Sequence, residues 1–213
     1  MHRPPMGRRG VQVSDGHHRL GQHPRCCRFG AILYGGTVGL MGEMRIVYLT
    51  GEGIYLRPLV LADKDFAPAW HPGPFLIGAA QAENILKDEA ADPGRRLALV
   101  RRQTDEIVGS VKLRSNDGFR RCLVTFHLAP STSDHDALRA EALRVIVPWL
   151  RDQMEVMVVS VEMAGDEAET IAAAEELGMV PSVRLREFVA RADCRVDSLT
   201  YQALNPRWEV KDA

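Results

Sequence analysis

The stretch LAPSTSDHDALRAEAL, residues 128–143, carries an apolar strand end into a helix and places Ser133, Asp134 and Asp136 at the joint. A helix start exposes free backbone N–H groups and the positive end of the helix dipole, so joints of this kind bind phosphates. Here the same ground holds two carboxylates. Ser133 is a good N-cap, Asp136 three residues on has the spacing to return the bond, and both aspartates favour the positive end of the dipole. The expectation is a helix completed from within by its own acids. An arriving phosphate would meet like charge, at about 4 kcal/mol for a pair roughly 4 Å apart in an effective dielectric near 20, less where a carboxylate swings into water.

The elements around this joint follow from period and punctuation. Residues 54–59 read as a strand closed by Pro58, 61–70 as a short helix opened around Asp63, and 79–91 as a helix ended by Pro93-Gly94. Strands at 96–101 and 107–113 flank a polar turn and predict an antiparallel hairpin, and a second turn at 115–118 leads to a strand over 121–129. Past the joint, Leu138, Ala142, Val145, Ile146, Trp149 and Leu150 share one helix face. Residues 156–161 are apolar on both faces, as a buried parallel strand would be. Asp166 and Glu169 have capping-box spacing, Gly178 sits where a C′ glycine belongs, and 183–190 with 196–203 predict a closing hairpin around Ala192-Asp193. The expected fold class is α+β, a mostly antiparallel sheet with flanking helices.

Bulk composition narrows the partners. The chain has 213 residues, 46% hydrophobic and 26% charged, with a formal net charge of −1. That balance suits one globular domain and points to neither a nucleic-acid nor a membrane partner. Cys26, Cys27, Cys122 and Cys194 show no metal-ligand or disulfide spacing, so no metal is expected and a cytoplasmic setting is the default. Residues 1–43 stand apart: Arg3, Arg8, Arg9, Arg19, Arg25 and Arg28 face only Asp15 and Glu43. The apolar run 29–41 is interrupted by glycines, lacks a small-x-small cleavage site and is shorter than the ~20 residues a membrane span needs. Residues 1–43 are expected to be an extension, disordered or upstream of the true start at Met41 or Met44, and 44–213 a single domain.

The stretches IYLRPLVLADKDF, EIVGSVKL, RAEALRVIVPWL, EELGM and DSLTYQALNPRW, in this order across residues 53–208, resemble the GNAT superfamily of acyl-CoA N-acyltransferases. The resemblance is to the branch that includes the ribosomal-protein alanine acetyltransferases. It implies the GNAT fold, in which two central strands around Leu128 and Val156 splay apart and acetyl-CoA, the acyl donor, lies in the gap. It further implies that the joint holds the donor's pyrophosphate. Leu128, Ala129, Asp136, Ala137, Leu138 and Arg139 are then the cofactor-binding candidates. The family's usual loop has Arg or Gln, two residues, Gly, one residue, then Gly or Ala; these three positions fall on Asp134, Ala137 and Arg139, so both glycines are missing. The short helix of many relatives opens with Asn and holds a Tyr, where this chain has Glu167 and Ala174.

Acyl transfer to an amine needs a base, an oxyanion donor and an acid for the thiolate. His127, with an ordinary pKa near 6.5, is the candidate base, and Tyr201 a candidate acid; a strand histidine and a packed tyrosine are the plainer readings. Arg139 or Arg114 could supply phosphate charge in place of the glycines. The resemblance implies an enzyme that moves an acetyl group to an amine of a small molecule or a protein N-terminus, with a homodimer among the assemblies allowed. The alternative is an inactive GNAT-fold binding or partner protein that has lost the pyrophosphate loop.

Overall fold

The computed structural model describes residues 49–72, 77–91, 96–116 and 120–208. The proposed extension, residues 1–43, lies outside the described residues. Eight strands form one sheet: β1 (Leu49–Thr50), β2 (Ile54–Pro58), β3 (Arg96–Arg101), β4 (Glu106–Asn116), β5 (Arg121–Leu128), β6 (Val158–Ala164), β7 (Val180–Ala190) and β8 (Arg195–Leu204). Their order is β1-β2-β3-β4-β5-β6-β8-β7, antiparallel throughout except for the parallel pair β5/β6. Among the described residues four α-helices flank it: α1 (Ala67–Trp70), α2 (Ala79–Ala91), α3 (His135–Pro148) and α4 (Ala168–Glu176). The expected α+β class and the meander feeding a βαβ unit are both present.

Alternation along the strands divides the core in two. One face of β5 presents Cys122, Val124, Phe126 and Leu128 to α3, whose Leu138, Ala142 and Ile146 recur every four residues and are buried there, followed by Leu150 in the π-helical turn Trp149–Gln153. The other face belongs to α1 and α2, where Trp70, Ala82, Leu86, Ala98 and Val100 form a second cluster. Each fully buried Leu or Ile contributes about 1.5–3 kcal/mol of transfer free energy, so the α3 face, with the larger cluster, anchors the fold. At the sheet's far edge β7 leaves Val183, Leu185 and Phe188 exposed.

Several boundaries differ from the sequence reading. The first helix is a 3₁₀ turn over Leu61–Phe66 followed by α1, because Pro68 enters at the start of the second piece. Asp63 accepts from the Val60 N–H at 2.8 Å and from both terminal nitrogens of Arg57 at 2.7 and 2.8 Å, so Arg57 is paired inside the fold. The strand expected at 156–161 is β6 at Val158–Ala164, since the Val156 N–H bonds the Leu150 carbonyl and closes the end of the preceding helix instead. Gly178 has φ +73° and follows α4 as predicted, with the Met179 N–H returning to the Ala174 carbonyl at 3.0 Å.

Candidate functional site: the gap between two splayed strands

β5 and β6 are in register from Arg121/Val158 to Val124/Val161 and part beyond. The Val158 N–H bonds the Arg120 carbonyl, which fixes which residues turn their backbone toward the partner strand. With a period of two, Ser160, Glu162 and Ala164 of β6 face β5, and Phe126 and Leu128 of β5 face β6. Past Val124 these groups look into a gap. Gly109 of β4, paired with Leu128, holds the β5 side close: a Cβ there would lie 2.3 Å from the His127 carbonyl oxygen.

The α3 start stands at the mouth of this gap and is not completed from within. Its N-cap is Asp134, not Ser133, and the cap side chain makes no bond to the helix. Asp134 instead turns to Arg101 of β3, at 2.9 and 3.1 Å in a two-pronged pair. Asp136 turns to the next helix: its carboxylate accepts from the Glu169 and Thr170 N–H groups, both at 2.8 Å, and from the Thr170 hydroxyl at 2.6 Å. It thus caps α4, the task the sequence assigned to an Asp166–Glu169 box; Asp166 pairs with Arg191. Burial pushes the Asp136 carboxyl pKa up, and the bonds from Thr170 and Glu169 more than reverse this, so it lies below the usual value. At the α3 start, the Leu138 N–H returns to the Asp134 carbonyl, while those of His135, Asp136 and Ala137 have no protein partner among the described residues.

His127 points to the other face of the sheet, toward α1. Burial lowers its pKa, an interaction with the Pro68 backbone raises it, and the charges of His71, Arg96 and His135 lower it again; the net direction is down. Proline has no N–H, so the ring nitrogen facing Pro68 must donate to its carbonyl. Nε2 is buried with no partner among the described residues.

The remaining candidates are placed as follows. Tyr201 shares its sheet row with Val161 and Val124, on the α3 face opposite His127, and its hydroxyl lies 3.2 Å from Glu175 of α4. Burial, then Glu175, raises its pKa. The structure does not bring His127 and Tyr201 together. Leu138 is withdrawn from ligand contact, its side chain buried at 4% exposure and its N–H used within the helix. The Ala129 N–H is taken by the Val108 carbonyl, and its carbonyl accepts from Thr132 and His135. Arg114 lies with Arg121, Ser160 and Gln202 in a groove of about 620 Å³ at the ladder end of β5/β6, away from the α3 start. Arg139 is no free cation: it pairs with Glu167 at 2.5 Å, donates to the Glu162 carbonyl at 2.7 Å, and stacks 5.4 Å from the Phe126 ring centroid. Sequence reading noticed both Arg139 and Glu167 as departures from a pattern; that they are partners across 28 residues it did not find.

Residues 54–180 match the family described as acetyltransferase (GNAT) domain. A solved structure described as an acetyltransferase, from Sphaerobacter thermophilus, is similar at 44% identity and a TM-score of 0.60, over 76% of this chain and 99% of that one. The fold is shared with a GNAT-family acetyltransferase from Bacillus anthracis, at 11% identity, a TM-score of 0.54 and 74% and 98% coverage. It is shared as well with the spermidine/spermine N-acetyltransferase of Vibrio cholerae, at 19% identity, a TM-score of 0.54 and 73% and 96% coverage. No curated protein matches.

Proposed function

The chain belongs to the GNAT acetyltransferases and is an N-acetyltransferase, and from that premise we propose that it moves an acetyl group from acetyl-CoA to an amine of a small molecule or a protein N-terminus. The observation that carries this reading is the open start of α3. Three N–H groups of one helical turn, at His135, Asp136 and Ala137, converge at the mouth of the β5/β6 gap, and such a turn holds a pyrophosphate without glycine or lysine. Both acids that would oppose an anion are already committed, one to Arg101 and one to α4. The inactive alternative rested on the missing glycines and on the two acids; the direction of the acids supports the active reading.

His127 takes the amine proton as nitrogen attacks the thioester carbonyl carbon. The Leu128 N–H, on the gap edge of β5, is the donor at hand for the oxyanion, and collapse of the tetrahedral adduct expels the thiolate. Tyr201, held by Glu175 on the α3 face, serves packing in this scheme. The protein N-terminus as acceptor rests on the resemblance to the ribosomal-protein branch. A relative from Vibrio cholerae, the spermidine N-acetyltransferase, is dodecameric; in this chain the exposed apolar residues of β7 favour a homodimer built on that edge.

Isothermal titration with acetyl-CoA tests the donor site, with micromolar binding expected; no heat at millimolar ligand would end the proposal. Thiol release in the presence of an amine panel then tests His127. His127→Ala should lose about 10²-fold or more in turnover. Because the folded pKa is lowered, the base stays neutral through pH 6.5, so the acid limb of the wild-type rate should fall below that value and vanish in the variant. An unchanged rate would remove His127 from the mechanism.

A further inference from the structure

The gap beyond Val124 leaves backbone groups of β6 without a strand to bond. Glu162 and Ala164 have the same parity as Val158, whose N–H joins the β5 ladder, so their carbonyl and N–H point where β5 would have continued. Two side chains stand in for the missing strand. Arg139, on the first turns of α3, gives a hydrogen bond to the Glu162 carbonyl at 2.7 Å, and Glu167 accepts one from the Ala164 N–H at 3.1 Å. The two are joined to each other at 2.5 Å, each side chain only 16% exposed, and the Arg139 guanidinium covers the Phe126 ring of β5. The ion pair therefore spans the gap from one strand to the other and meets its polar groups.

Coenzyme A reaches from its pyrophosphate to its sulfur through an extended arm with two amides. An arm lying in this gap would compete with the pair for both the space and the β6 backbone groups. We propose that Arg139 and Glu167 form a displaceable plug in the donor channel, closed in the free protein and swung aside when acyl-CoA enters. This rests on the reading that the donor occupies the β5/β6 gap. It assigns Arg139 a role opposite in sign to a phosphate contact: the residue weakens donor binding. A pair buried in this way holds together because either charge left alone would be costly, so the two should be removed together.

The test is titration of acetyl-CoA into the full chain and into two double variants, Arg139→Ala/Glu167→Ala and the polar but uncharged Arg139→Gln/Glu167→Gln, with circular dichroism to confirm folding. Tenfold or tighter binding is expected for the alanine pair, and a smaller gain for the glutamine pair, which keeps part of the bulk without the charges. Should the alanine variant not fold, the glutamine variant decides, with at least threefold tightening required. Weaker or unchanged binding in a folded variant, with wild type binding normally, overturns the plug and leaves the donor site standing. Absence of binding in wild type and both variants overturns the donor-site reading and the plug with it.

Discussion

Two helices begin side by side at this site, and only one of them is finished. The α4 start has its Glu169 and Thr170 N–H groups closed by a carboxylate, whereas the α3 start keeps those of His135, Asp136 and Ala137 open. The closing group is Asp136, which belongs to the open helix. A helix start is closed wherever an acceptor can reach its first-turn N–H groups, and the acceptor need not be local. The lesson is that acidic residues at a phosphate-type joint are no argument against an anion until their direction is known. Here they leave the site with its donors intact.

The comparison breaks most visibly if its shared residue is removed. Asp136→Ala strands the Glu169 and Thr170 N–H groups of α4, the Thr170 hydroxyl keeping the Asp136 carbonyl, and should cost about 2–3 kcal/mol, a fall of roughly 5–10 °C in melting temperature. Since the folded pKa of Asp136 is depressed, its contribution is present above the ordinary carboxylate value and fades as pH falls through the lower folded value. The variant should accordingly lose less stability on acidification than wild type, read by thermal scans from pH 7 to pH 3. An unchanged melting temperature would mean that α4 does not depend on its borrowed cap.

A second variant addresses the open start. Proline is tolerated at the first position of a helix, so His135→Pro deletes one of the three N–H groups, along with the ring's bond to the Ala129 carbonyl, and should cost the fold about 1–2 kcal/mol. Acetyl-CoA affinity should drop about tenfold, the worth of one charge-assisted bond. Equal affinity by calorimetry would show that the anion sits elsewhere. The smallest effect concerns the outer acid. Arg101→Gln/Asp134→Asn removes a part-exposed pair, at 31% and 40% exposure, and should change stability by less than about 1 kcal/mol and affinity by less than about threefold. A tenfold change would show that this pair shapes the open start after all.

What the sequence disclosed and what it withheld divide along the same line. Local chemistry was legible. The two-residue period marked the strands, the spacing from Leu138 to Leu150 marked the α3 face, and Gly178 announced a left-handed residue after α4. Both proposed capping boxes failed because they assumed a partner three residues away, when Asp136 reaches 33 and 34 residues forward. Arg139 and Glu167 were each conspicuous as substitutions in a pattern, but their contact needs β6 to lie beside α3. The opposite facing of His127 and Tyr201 is likewise a matter of register: parity along one strand is readable, and parity across three strands requires the pairing of Val124, Val161 and Tyr201.

The borrowed cap also orders events in time. A chain made from its N-terminus completes α3 before α4 exists, so Asp136 emerges with its carboxylate unclaimed, at a helix start where it is tolerated. Nine residues are too few for α4 to hold its own shape in water. It must wait until β6 has been synthesised and has docked beside β5, bringing Thr170 within reach. Glu167, at the start of α4, is thus set in place only after β6, and a chain stopped before α4 would lack β7 and β8 as well, leaving β6 as the edge of a six-stranded sheet.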